Sequence, residues 1–141
     1  SFDQVRHTVN AWIGDVLQTP PIYSAVNVGG QRAYHLAVKG RDMDIPARPV
    51  RIDAIDILEY AWPSLQLLVR CGRGTYIRSL ARDIGSALAT GAICRTLTRR
   101  AIGPFTLDDA LRIGRDPDQA IRDALIPLDK ARAILQPTIP P

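Results

Sequence analysis

Apolar residues recur near the start of the chain at intervals of three and four: Val5, Val9, Trp12, Ile13 and Val16. That spacing lines one face of a helix. The pattern therefore predicts a helix capped by Asp3, interrupted at Gly14 and stopped by Thr19-Pro20-Pro21. Residues 22–26 read as extended and Gly29-Gly30 as a turn. Residues 32–39 read as a short helix with Gly40 as its C-cap, followed by a polar loop over 41–47. From Val50 to Tyr60 the chain is rich in Ile and Val with mixed spacing, which predicts a strand containing a bulge or bend. Leu65, Leu67, Val69 and Cys71 alternate with other residues as a half-buried strand does, and the turn at Pro63-Ser64 makes the two an antiparallel pair.

A second helix is predicted from Thr75 to about Ala89, with Ile77, Leu80, Ala81, Ile84 and Leu88 on its apolar face and Gly91 at its end. Residues 92–102 read as extended or mixed, and Gly103-Pro104 break them. Three short helices follow, over 108–113, 117–124 and 127–135, before a frayed Pro-rich tail over 137–141. Strands interleaved with helices, some at hairpin spacing, make the fold class α+β with a mixed or antiparallel sheet.

The chain has 141 residues, 46% of them hydrophobic, which suits one domain with a packed core. The net charge of +4 is a mild basic bias compatible with nucleic acid, and arginine, which contributes most of it, suits bidentate phosphate contacts. Cys71 and Cys94 form no C-x-x-C pair and no Cys/His cluster, so no zinc site is expected and a reducing compartment is. The sequence holds no signal peptide and no apolar run near membrane-spanning length, so a soluble protein outside any membrane is expected. The Ser1-Phe2-Asp3 start is expected to mark a processed chain or a piece of a longer one.

The candidate chemistry centres on Gly74-Thr75-Tyr76-Ile77-Arg78-Ser79-Leu80-Ala81. With Thr75 as N-cap, Arg78 falls at the third helical position, where a capping box would place Glu or Gln. A cation there opposes the helix dipole at a cost of about 0.3–1 kcal/mol. Such a residue calls for an acidic partner, either a carboxylate or a phosphate; an ordinary surface or interdomain salt bridge is the plain alternative.

Three blocks in order resemble one family: Gln18-Thr19-Pro20-Pro21-Ile22-Tyr23-Ser24-Ala25, then Gly74 to Gly85, then Leu97-Thr98-Arg99-Arg100 followed by Gly103-Pro104-Phe105. Together, over roughly residues 1–111, they resemble the TruB family of tRNA pseudouridine synthases, whose relatives include the dyskerin-type enzymes. The resemblance implies a mixed, mostly antiparallel sheet flanked by helices, forming the C-terminal portion of a catalytic domain over residues 1–111. A helical extension over 112–136 and the tail would follow. It implies isomerisation of a uridine in the T-loop of tRNA, with the T-arm stem-loop as partner, no metal, no organic cofactor and a cytoplasmic location. The base would be flipped out of the RNA to reach the site.

Roles follow residue by residue. Tyr23 matches the tyrosine that stacks on the flipped base, its alternative being a half-buried strand tyrosine. Tyr76 matches the tyrosine beside the reacting uracil, its alternative a packing residue. Arg78 matches the arginine that pairs with the catalytic aspartate, and Leu97 an apolar residue of the pocket wall or plain core. Arg32, Tyr34 and His35, after the Gly-Gly turn, are candidate phosphate contacts or a solvated helix face. Arg95, Arg99 and Arg100 add positive charge.

The family's nucleophile lies in a motif close to Gly-x-Leu-Asp-Pro, which this sequence lacks. Thr106-Leu107-Asp108-Asp109 follows the third block, so Asp108 reads as a cap or first-turn acid. Asp83 reads as support for local geometry, and His7 and His35 have no Ser or Cys triad around them. Asn27 stands where the family has lysine. The expectation is that the missing N-terminal half of the catalytic domain supplies the aspartate, in cis or in trans. A non-catalytic RNA-binding module and the partner half of a split enzyme are the alternatives.

Overall fold

The computed structural model describes residues 1–24, 26–28, 31–32, 38, 45–111 and 117–135. Its elements run α1 (Phe2–Asn10), β1 (Gly14–Gln18), β2 (Asn27–Val28), β3 (Gln31–Arg32), β4 (Arg48–Ala61), β5 (Ser64–Cys71) and α2 (Ile77–Ala87). After these come β6 (Ala101–Ile102), β7 (Phe105–Thr106), a 3-10 turn (Leu107–Asp109), α3 (Pro117–Ala124) and α4 (Leu128–Leu135). The chain divides into two compact units, Ser1–Arg95 and Thr96–Pro141.

In the first unit β4 is the centre of a three-stranded antiparallel sheet, with β1 on one side and β5 on the other. The mixed spacing of the Ile/Val run has a direct cause in the pairing. The sheet register shifts between Ile52 and Ala54 and again between Ile57 and Glu59. Each shift exchanges the faces of a strand, so the inward residues are Val50 and Ile52, then Ile55 and Ile57, then Tyr60. The expected bulged strand and its antiparallel partner are therefore present.

α1 and α2 both contribute to the core that covers this sheet. Val5 and Val9 of α1, Ile52 and Ile55 of β4, and Leu80 and Ile84 of α2 form one buried cluster, with Trp12, Val16, Leu67, Val69 and Cys71 packed around it. The sequence pattern overran the first helix. It ends at Asn10, is capped by the Ser1 hydroxyl accepting from Gln4 N–H rather than by Asp3, and gives way to a strand at Gly14. Gly14 takes φ of +117°, a left-handed conformation that favours glycine. Val16 is thus a strand residue facing the core.

β2 and β3 form a small hairpin with Val28 opposite Gln31. Arg32 therefore lies on a strand and not on the expected helix. The Gly29-Gly30 turn, residues 33–37 and 39–44 (Tyr34 and His35 among them) and the tail lie outside the described residues. Residues 22–24 are bends, where an extended segment was expected.

In the second unit β6 and β7 pair across Gly103-Pro104, and the helices at Pro117–Ala124 and Leu128–Leu135 match the expected positions. The first of the three expected helices is reduced, in the described residues, to the 3-10 turn. Asp109 closes that turn, its carboxylate accepting from the Thr106 N–H at 2.8 Å and the Thr106 hydroxyl at 2.7 Å.

Candidate functional site

The site forms where the end of β1 meets the start of α2. Val16 faces the core, so Gln18, two residues on, faces it as well. Gln18 is 1% exposed. Its Oε1 accepts a hydrogen bond from the Tyr76 N–H at 2.7 Å. Tyr76 is the N-cap of α2 and offers no side-chain cap of its own. Thr75, the expected cap, instead donates its hydroxyl to the Gly72 carbonyl at 3.0 Å.

The next residue of β1's outgoing chain holds the first turn of α2. The Thr19 carbonyl accepts from the buried Ser79 hydroxyl at 2.8 Å and from Arg82 Nη2 at 3.0 Å. Arg82 also donates to Asp83 at 2.7 Å, which gives Asp83 the local role expected of it. The Gln18-Thr19 dipeptide thus fixes the helix start at three points, and with it the direction of Tyr76 and Arg78.

Tyr76 is half-buried, packed against the pair Val26 and Ile45. Arg78 is exposed and sits at the second position of α2, one earlier than the capping pattern implied, because Tyr76 and not Thr75 is the cap. The first turn of α2 carries no acid, and the Arg78 guanidinium makes no hydrogen bond or ion pair with any described residue. Tyr23 is 58% exposed and stands on the bend three residues before Val26.

The other expected residues belong to other parts of the chain. Arg32 is on β3, and Tyr34 lies outside the described residues. Leu97, Arg99 and Arg100 belong to the second unit, where they lie in an irregular, exposed segment before β6. Gln18 was missed as a site residue. Its signal was present in the sequence: a polar residue in phase with Val16 on the inward face of a strand.

Next to the helix start lies a cavity of about 130 Å³ lined by Gln18, Pro20, Arg48, Pro49, Val50, Arg73, Gly74 and Tyr76. No carboxylate is among the lining residues. Among the described residues no group of three or more His, Cys, Asp or Glu side chains could hold a metal ion. No described helix is long and apolar enough to cross a membrane.

Residues 1–77 match the family model of the TruB family pseudouridylate synthase (N terminal domain). The chain belongs to the TruB family. It is 40% identical over 131 residues to tRNA pseudouridine synthase B of Clostridium novyi, covering 93% of this chain and 45% of that protein. It is 43% identical over 114 residues to the protein of the same name from Phocaeicola vulgatus, covering 81% of this chain and 48% of that one. The chain thus spans about half the length of the curated relatives it matches. Among solved structures it resembles a chain of a Cbf5-Nop10-Gar1 complex, with a TM-score of 0.65, 26% identity, and coverage of 95% of this chain and 39% of that one. The expected α+β architecture with antiparallel pairing is present in this chain.

Proposed function

We propose that this chain supplies the Tyr76–Arg78 part of a tRNA pseudouridine synthase site that acts on the T-loop uridine of tRNA. The observation that carries this reading is Arg78. Its guanidinium lies in the first turn of α2, where it opposes the dipole, and it has no acid partner among the described residues. A TruB-like aspartate from sequence outside this chain, in cis or in trans, answers that charge. The pairing would keep the aspartate ionised and aimed at the substrate.

In the reaction, the aspartate carboxylate bonds to the ribose C1′ as the bond from the uracil N1 to C1′ breaks and N1 takes the electron pair. The freed uracil turns over, and C5 bonds to C1′ and displaces the aspartate carboxylate, which is thereby regenerated. C5 then loses its proton, and N1 carries one in the product. Tyr76, whose backbone N–H is held by Gln18, is proposed to assist removal of the C5 proton. Tyr23 is exposed and offers a face for stacking on an unstacked base. Leu97, Arg32, Tyr34 and Arg99 are proposed to contribute substrate contacts. No metal or organic cofactor takes part, and the enzyme works in the cytoplasm.

The test is incubation of the gene product, as its own cell makes it, with a T-arm stem-loop RNA, followed by nuclease digestion and chromatographic separation of the nucleosides. Pseudouridine at a single position is the expected result. RNA that is bound with no pseudouridine formed would replace this reading with that of a non-catalytic RNA-binding module.

A further inference from the structure

The cavity beside the start of α2 is lined by Arg48, Arg73, Gln18 and Tyr76 among apolar residues, and by no acid. Arg48, the first residue of β4, and Arg73, in the turn before α2, are exposed, and neither pairs with a carboxylate among the described residues. By contrast Arg51, three residues after Arg48, is neutralised by Asp15 at 3.1 Å and Asp53 at 3.3 Å. Gly74 and Tyr76 bring the positive end of an eleven-residue helix to the same cavity.

A second and independent observation comes from Gln18. Its Oε1 is committed to the Tyr76 N–H, which fixes the orientation of the amide. Its Nε2 is buried and has no partner among the described residues. A buried donor without an acceptor carries a desolvation penalty that an incoming oxygen would relieve.

We propose that this cavity is a phosphodiester subsite for the RNA substrate, with Arg48 and Arg73 holding the charge and Gln18 Nε2 donating to a phosphate oxygen. The inference rests on the RNA-modifying reading above and extends it from the reacting base to the RNA backbone. Two uncompensated guanidinium groups suit RNA, whose successive phosphodiesters each carry one negative charge. Arginine's planar fork matches two phosphate oxygens at once. All the lining residues belong to the first unit, so the subsite is complete within it.

The experiment measures the affinity of a fluorescent T-arm stem-loop RNA for the full-length gene product across a range of salt concentrations. Wild type is compared with Arg48→Gln, Arg73→Gln, the double variant, Gln18→Glu and the control Arg6→Gln. Arg6 is an exposed residue of α1 paired with Asp3, and its loss changes the net charge by as much as either single arginine variant does. The double variant is expected to bind about tenfold more weakly, with the slope of log K against log salt smaller by about one. Gln18→Glu keeps an acceptor for the Tyr76 N–H but replaces the donor by an anion, and is expected to weaken binding as well. Arg6→Gln is expected to keep the wild-type slope. Wild-type affinity and slope in the double variant would overturn the subsite while leaving the enzymatic reading intact. A loss in Arg6→Gln equal to that in Arg48→Gln or Arg73→Gln would also overturn it, since the effect would then be one of net charge. No RNA binding by the wild type would overturn both.

Discussion

The side-chain Oε1 of Gln18 accepts the backbone N–H of Tyr76 at 2.7 Å, across 58 residues of sequence. The bond substitutes for a local N-cap, since Tyr76 provides none. Gln18→Met removes it while keeping the volume. We expect a loss of about 1–2 kcal/mol in stability, the scale of a lost cap or buried hydrogen bond. Hydrogen exchange should show faster amide exchange in the first turn of α2, with α1 unchanged. Unaltered exchange at Tyr76 would mean that the helix start is held by Ser79 and Thr19 alone.

Gly85 should tolerate no side chain. A Cβ at this position would run into the backbone of Gly91 and Ala92, because the chain turns back over the end of α2. The Gly91 and Thr90 N–H groups both bond the Gly85 carbonyl, at 3.1 and 3.0 Å. In an open helix, Gly→Ala gains about 1 kcal/mol. Here overpacking reverses the sign, and Gly85→Ala should cost about 1–3 kcal/mol in denaturant unfolding.

Leu80 is 2% exposed between α1 and the sheet, and Leu17, on the outer face of β1, is 68% exposed. Leu80→Ala should therefore cost about 2–5 kcal/mol, and Leu17→Ala about 0.5 kcal/mol or less. Equal costs for the two would contradict the assignment of the sheet's inner face.

Much of the first unit was legible from the sequence because its strands and second helix are long enough for their period to show. The bulged strand of β4 announced itself by the shift from Ile52 to Ile55, which no straight strand permits. The first helix misled for a physical reason. Val9, Trp12, Ile13 and Val16 have helical intervals, but so do residues of a helix and a strand that bury the same core, and only the left-handed Gly14 separates them. Arg32 misled because a two-residue strand has no period to read. The position of Arg78 was visible in the sequence as a cation in the first turn of a helix. The importance of Gln18 depended on a contact 58 residues away, which local rules do not reach.

The Asp109 carboxyl is held below its ordinary value, first by the hydrogen bond from the Thr106 hydroxyl and then by that from the Thr106 N–H. A depressed carboxyl stabilises its turn above the unfolded value of 3.8, and that contribution is lost as the pH falls through the lower folded value. An NMR titration should therefore show the Thr106 amide shift constant at neutral pH and moving only below about pH 4. Asp109→Asn should abolish the transition.

The most direct measurement is the yield of pseudouridine in a single turnover on T-arm RNA, for the full-length wild-type protein against Arg78→Ala. If Arg78 positions and charges the catalytic aspartate, the rate should fall by about 10²-fold or more, as when a preorganised electrostatic contact is removed, while RNA affinity stays near that of the wild type. Product formation within a few-fold of wild type would contradict the role given to Arg78 and, with it, the site built around α2.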